Sequence, residues 1–362
     1  MPASRTSSTV WAIVAALLGA VVVAMLVLAG RLYMTSDDPV TITLPKGETP
    51  TFPLLHKSID GDAATASIIK DAGDDPDVTH GAEIRVTIRP NAAGSGVTFH
   101  AGDGVGTVTL AGLPLGVGEP AINPAPRKMI AETLVVLAHD HGVDADLAVT
   151  ISIPGGQALA QRTSNGRLGI IGGLSVLGTT GIVIPYSCAS WIHSIQRGVD
   201  VARAAGLPHI AAATGRTSEA AAQAHIGLPD MAMIDMGDFA GGLLKYLRRR
   251  PVERLTIAGG FAKLVKLAQG NMDLHSDRSS VNFDKLAELL AACGADQAVV
   301  ATARQANTAL GVLQTAGPLA NALAARVAAL ARATALATLA GGTAVDVLVV
   351  DRQGGIIGHA DA

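Results

Sequence analysis

The residues most able to do chemistry crowd into one string, Lys70-Asp71-Ala72-Gly73-Asp74-Asp75-Pro76-Asp77-Val78-Thr79-His80-Gly81. Four carboxylates and an imidazole fall within ten residues there, and they cannot all enter a core without large desolvation costs. Asp, Gly and Pro favour turns for backbone reasons, so the string reads first as a solvated acidic turn. Clustered carboxylates can also hold raised pKa values and move protons. On that second reading Asp75, Asp77 and His80 are the candidate catalytic groups. The ligand spacing of an EF-hand is missing, which argues against a calcium loop.

Two glycine-rich strings follow. Ala101-Gly102-Asp103-Gly104-Val105-Gly106-Thr107 comes after a strand-like piece but lacks the spacing of a dinucleotide fingerprint. It reads either as a glycine turn or as a backbone surface that a ligand can approach closely. Gly172-Gly173-Leu174-Ser175-Val176-Leu177-Gly178-Thr179-Thr180-Gly181 is rich in hydroxyls, but no nearby His/Asp pattern supports a serine nucleophile. Close packing of backbone segments is its plain alternative.

Three strand–Gly–helix units come later: His209–Ala213 running into Gly215, Met231–Asp235 into Gly237, and Leu255–Ala258 into Gly259-Gly260. In succession they argue for a parallel sheet with crossover helices. Such sheets bind ligands outside the carboxyl ends of their strands, where helix N-termini offer free N–H groups. Gly215, Gly237, Gly259 and Gly260 are therefore candidate cofactor positions, and Asp235 and Asp238 could hold ribose hydroxyls. His275 follows Lys263 and Lys266 in a loop whose default place is the surface.

The elements that must position these groups change character along the chain. Strand-like pieces at Val40–Leu44, Ala64–Ile69, Ala82–Ile88, Val97–Ala101 and Ala148–Ile153 surround a helix predicted over Pro126–His141. This gives an α+β domain over 38–186. From 187 to 362 the pattern is α/β, with helices also predicted at Ser187–Ala205, Phe283–Cys293, Gln297–Leu310 and Pro318–Thr338, and a late strand at Val345–Val350. The Ala-rich stretch Leu319–Leu339 contains Arg326 and Arg332 and is predicted as a surface helix.

Composition narrows the class. The chain has 362 residues, 27 Lys+Arg against 30 Asp+Glu, and 49% hydrophobic residues, which excludes disorder and leaves no basic footprint for nucleic acid. Aromatics are only 3%, too few for a base-stacking platform of the single-strand-binding kind. The two cysteines, Cys188 and Cys293, form no Cys-x-x-Cys, zinc set or disulfide framework, so a reducing, cytoplasmic compartment and no protein-bound metal are expected. The N-terminus departs from this. Val10–Leu28 carries no charge over nineteen residues, long enough for a bilayer core, and no clear cleavage site follows. It reads as an uncleaved membrane anchor over 1–36, which would stay out of the catalytic core. A buried core helix and a start or frame error are the alternatives.

Four strings taken together, Lys70–Ala82, Gly102–Arg127, Gly166–Val183 and Gly259–Ser276, resemble the cobalt-precorrin-5B C1-methyltransferases of anaerobic cobalamin synthesis, the CbiD family. The likeness runs from about Pro39 to the C-terminus. It implies an α+β domain followed by an α/β domain, S-adenosyl-L-methionine as methyl donor, and cobalt-precorrin-5B as substrate, converted to cobalt-precorrin-6A. Other cobalamin-pathway enzymes are conceivable partners. The cobalt is carried by the substrate. Because that substrate bears many carboxylates, Arg85, Arg127, Lys128, Arg167, Lys263 and Lys266 become candidate binding residues, with Thr179, Thr180 and His275 beside them. Family members usually begin with a Thr-Thr-Gly-containing helix where this chain has Val10–Leu28. The competing reading is a non-catalytic tetrapyrrole carrier or membrane-attached scaffold, which would bind the corrinoid without turnover.

Overall fold

The computed structural model describes residues 20–22, 39–44, 47–73, 75, 77–179 and 187–362. The chain divides into two compact units, Met1–Ser187 and Cys188–Ala362.

In the first unit β1 (Val40–Thr41) pairs with β2 (Thr51–Phe52). A five-stranded sheet is built from β3 (His56–Asp60), β4 (Ala63–Ile69), β5 (Glu83–Pro90), β6 (Val97–Ala101) and β8 (Leu147–Ser152), in the order β3-β4-β5-β8-β6. Its pairings are antiparallel except β6–β8, which is parallel and is joined through helix α1 (Pro124–His141). Alternation with period two sets the faces. Ile84, Val86 and Ile88 of β5, and Leu147, Val149 and Ile151 of β8, point inward with Ile130, Leu134 and Ala138 of α1. The helix starts with Pro124 at a position where its missing N–H costs nothing, and it stops at Gly142, whose φ is 65°. Ala20 and Val21 are buried in this same core. Val22 packs against it, partly buried, and the rest of Val10–Leu28 lies outside the described residues. The expectation that the stretch keeps out of the core therefore fails at Ala20 and Val21, where protein supplies the water-free surroundings that lipid would.

The other face of the sheet is polar. The register lines up Ser58, Thr65, Thr87, Thr150 and His100 in one row across all five strands, and Thr65 and Thr87 hydrogen-bond at 2.8 Å.

The two glycine strings meet in this unit. Beyond β7 (Thr107–Val108), α2 (Gly156–Ala160) and β9 (Ile170–Ile171), three chain segments cross with only backbone between them. The Leu174 N–H donates to the Gly104 carbonyl at 2.9 Å and the Ile153 N–H to the Asp103 carbonyl at 2.7 Å. A Cβ on Gly156 or Gly173 would lie 2.4 or 2.2 Å from the Gly104 oxygen. Among the described residues these glycines serve packing.

The second unit starts with α3 (Cys188–Ala204), β10 (His209–Ala213), α4 (Arg216–Ile226), β11 (Met233–Asp235), α5 (Ala240–Arg249), β12 (Arg254–Gly260) and α6 (Phe261–Ala268). It continues through α7 (Phe283–Ala292), α8 (Gln297–Arg304), α9 (Ala309–Thr315), α10 (Ala320–Leu339), β13 (Ala344–Val350) and β14 (Ile356–Ala360). The sheet order is β11-β10-β12-β13-β14, parallel except for the last pair. Ala222 of α4 packs with Ala211, Ala213, Met233 and Ala258 on one face, while α3, α5, α6, α7 and α10 share the large core on the other.

Two expectations are corrected here. The helix predicted over Gln297–Leu310 is two, because the Thr308 hydroxyl caps α9 by accepting the Gly311 N–H at 3.0 Å. Leu319–Leu339 is not simply a surface helix. Although α10 is long and apolar enough to cross a membrane, it buries Leu323, Ala324, Val327, Ala328, Ala331, Ala335 and Leu339 in the core. Its alanines let β14 approach closely, since a Cβ on Gly358 would lie 2.5 Å from the Ala324 backbone.

The backbone crossing gives a stability prediction. Gly104 has φ +71°, and a Cβ there would stand 1.9 Å from the Ile153 carbonyl oxygen. Gly104→Ala is expected to cost about 4 kcal/mol or more. Gly118→Ala, where φ is +89° but nothing lies within 4 Å, is expected to cost about 1–2 kcal/mol. Denaturant midpoints of the two variants check this, and equal midpoints would contradict the packing role.

Candidate active site

In the second unit the parallel strands bring their carboxyl ends to one edge, and the candidate cofactor positions Gly215, Asp235, Gly237, Asp238, Gly259 and Gly260 gather there. The chain leaves β10 through α4 on one face of the sheet and leaves β11 through α5 on the other. The loops after β10 and β12 therefore diverge, which makes this the topological switch point, the place where open α/β sheets form their ligand crevice. One wall is Thr214-Gly215 and the other Gly259-Gly260, tied by the Thr214 N–H donating to the Ala258 carbonyl at 3.0 Å. Gly215 and Gly260 are the N-caps of α4 and α6, and neither helix has a side-chain cap. A Cβ on either glycine would meet nothing within 4 Å, so there is room beside each helix start. The Cβ of a residue at Gly259 would stand 3.0 Å from the Thr214 side chain, which would have to give way.

Beside the crevice β11 ends at Asp235, an exposed residue. Gly237 has φ +52°, and the Met236 and Gly237 N–H groups both donate to the Ala213 carbonyl. Asp238 is engaged: its carboxylate accepts from Lys263, and its carbonyl accepts the Leu274 N–H at 2.8 Å. Lys263 and Lys266 both donate to the Leu274 carbonyl, at 3.2 and 3.0 Å. Lys266 is buried, and burial with the nearby Lys263 charge pushes its pKa down. Two ammonium groups thus pin the loop that carries His275. There the His275 N–H donates to Asp273, whose other oxygen takes Arg278 at 2.9 Å. Burial pushes the Asp273 carboxyl up, but these donors outweigh it and hold it below the usual range. The His275 Nδ1 accepts the Asp277 N–H at 3.2 Å, which leaves the proton of the neutral ring on Nε2.

The acidic string lies in the first unit. Lys70 is almost fully buried and donates to the Asp77 carboxylate and the Thr79 hydroxyl. Asp77 also accepts from the Thr79 N–H at 2.8 Å and the Thr79 hydroxyl at 2.6 Å. Burial pushes the Asp77 carboxyl up, but Lys70 and Thr79 outweigh it and hold it below the usual carboxylate range. A carboxylate so held closes the loop between Lys70 and Thr79. His80 is exposed, with Nδ1 accepting the Ala72 N–H at 3.0 Å, and Asp75 lies at the turn of the same loop.

The basic candidates scatter. Arg85 stands on the polar sheet face and donates to Glu83 at 2.9 Å. Arg127 clasps its own loop, donating to the Ile122 and Pro120 carbonyls and pairing with Glu119 at 2.8 Å. Lys128 is exposed on α1, 3.7 Å from Glu132. Arg167 sits in the Gly166–Leu168 turn. Thr179 is exposed, and Thr180 lies outside the described residues. The reading of the sequence missed Trp191, whose indole N–H donates to the Asp235 carbonyl at 3.2 Å. Nothing near it in sequence signals that contact.

Comparison with known proteins fixes the family. Residues 4–185 match the CbiD model and 273–361 the CbiD C-terminal domain model. A cobalt-precorrin-5B C(1)-methyltransferase from Paramagnetospirillum magneticum is 58% identical over 326 residues, covering 89% of this chain and 90% of that one. This chain belongs to the CbiD family. Further CbiD relatives of the same name occur in Brucella abortus, 55% identical over 88% of this chain and 87% of theirs, and in a Bradyrhizobium species, 56% identical over 91% and 89%. The crystal structure of a cobalamin biosynthesis protein (CbiD) from Archaeoglobus fulgidus is 23% identical, with a TM-score of 0.38, covering 75% of this chain and 82% of that one.

The Lys70–Asp77 pair yields a test. Its contribution to stability is fully present above the ordinary carboxylate value of 3.8 and is lost as pH falls through the lower folded value. Asp77→Asn strands the buried ammonium and is expected to cost about 3–5 kcal/mol at neutral pH. Adding Lys70→Met should restore much of this. Urea unfolding of the single and double variants checks both, and an unchanged midpoint in Asp77→Asn would show the pair to be inert.

Proposed function

We infer that this chain is a cobalt-precorrin-5B C1-methyltransferase of cobalamin biosynthesis. The observation that carries this is identity of 55–58% to relatives of that name over almost nine-tenths of the chain. The donor in this reading is S-adenosyl-L-methionine, and the crevice at the carboxyl edge of the second sheet is its site.

The residues there suit such a molecule. Asp235 follows Gly215 by 20 residues, the spacing at which an acidic residue at the end of the next strand takes ribose hydroxyls in doubly wound sheets. The open N–H groups at the starts of α4 and α6 would hold the donor's carboxylate. When bound, the donor supplies an electrophilic methyl group on a sulfonium. Transfer to a ring carbon needs the acceptor in line with the breaking bond, so the chain's main task is positioning. The ion pairs and lysine pins behind the crevice hold the loops that do this, and Lys263, Lys266 and Asp238 act there as positioning residues. Carboxylate recognition in the substrate falls to exposed groups such as His275.

Incubation of the full chain under anaerobic conditions with cobalt-precorrin-5B and methyl-labelled donor is expected to give one labelled methyl per macrocycle and one equivalent of S-adenosylhomocysteine. Asp235→Ala is expected to raise KM for the donor about tenfold or more through loss of hydrogen bonds to a charged group. Binding of both ligands with no transfer of label would support the carrier reading instead.

A further inference from the structure

We propose that Trp191 is the surface on which the adenine of the methyl donor stacks; this rests on the placement of the donor at Asp235 and the crevice.

Trp191 lies in the first turn of α3, and its ring is fixed at the carboxyl end of β11 from two sides. The indole N–H is spent on the Asp235 carbonyl at 3.2 Å. The ring then rests on Gly237, where a Cβ would stand 3.2 Å from Cε2 and Nε1 and 3.3 Å from Cζ2. Gly237 is needed twice, for that bed and for its φ of +52°. The Phe239 ring lies 6.4 Å from the indole at 45° and supports it further.

Even so, 45% of Trp191 is exposed. Single exposed apolar residues are ordinary on protein surfaces. An exposed ring whose hydrogen bond and bed are already made is different, because its rotamer entropy is lost before any ligand arrives. With the N–H used up, what the exposed part of the ring offers is aromatic surface. That surface stands beside Asp235, whose backbone oxygen holds the indole and whose carboxylate is assigned to the ribose. A base on that ribose starts one residue from the ring. Stacking accepts any planar base, so Trp191 contributes affinity while the ribose and the amino-acid end give selectivity.

The chain has two tryptophans, Trp11 and Trp191. In a full-length Trp11→Phe variant, titration with S-adenosylhomocysteine should quench the remaining indole emission, saturating at the Kd found by calorimetry. Trp191→Leu should weaken S-adenosylhomocysteine about tenfold or more, and Trp191→Phe should recover most of the loss. In turnover, KM for the donor should rise by more than kcat falls. If Trp191→Leu keeps its unfolding midpoint and binds S-adenosylhomocysteine as the parent does, the stacking proposal is overturned and the donor site stands. If the variant loses affinity for the corrinoid alone, the ring serves the macrocycle and the proposal is again overturned. If the parent chain binds no S-adenosylhomocysteine, the donor reading falls and this proposal falls with it.

Discussion

The second unit depends on one topological constraint. Crossovers between parallel strands are right-handed, so a chain that builds outward from β10 in both directions must place α4 on one face and α5 on the other. The loops after β10 and β12 then part, and two uncapped helix starts stand at that switch point. No side chain creates this opening. Side chains decide what it can hold, and the acidic end of β11 with the glycines at 215 and 260 suits a nucleoside-bearing cation with a carboxylate tail.

Glycine is used in two opposite ways. At Gly104, Gly156 and Gly173 the missing side chains are filled by neighbouring backbone within 2.4 Å of where a Cβ would be. At Gly215 and Gly260 the space stays open. Both kinds look alike as Gly-rich strings, and only the contacts separate a packing glycine from one that leaves room for a ligand. The charged groups divide similarly. Arg127, Lys263 and Lys266 suggested substrate contacts, yet each spends its hydrogen bonds on carbonyls and carboxylates of its own unit. Pinning a loop requires the same donors as gripping an acidic ligand.

Much of the fold was legible. The alternating Ile84, Val86 and Ile88, and the Gly-ended strands at 209–213 and 254–260, carry strong local patterns, and the structure has strands there. The misses have physical causes. Strands β2, β7 and β9 are two residues long and have no periodicity to read. In β14, Gly358 looks like a turn residue but is required by the closeness of α10. The acidic string showed Lys70 and Asp77, but not that the lysine would be buried, and burial is what turns the carboxylate into a partner. Trp191 was unreadable because its hydrogen bond and its glycine bed lie more than forty residues away.

On the proposed reading the methyl donor binds at the carboxyl edge of the second sheet. A crystal structure of the full chain grown with S-adenosylhomocysteine tests it most directly. Ligand density is expected against Thr214-Gly215, Gly260 and the Asp235 carboxylate. Density held instead by the first unit, at the Gly102–Thr107 loop or on the row of hydroxyls across the sheet, would contradict it.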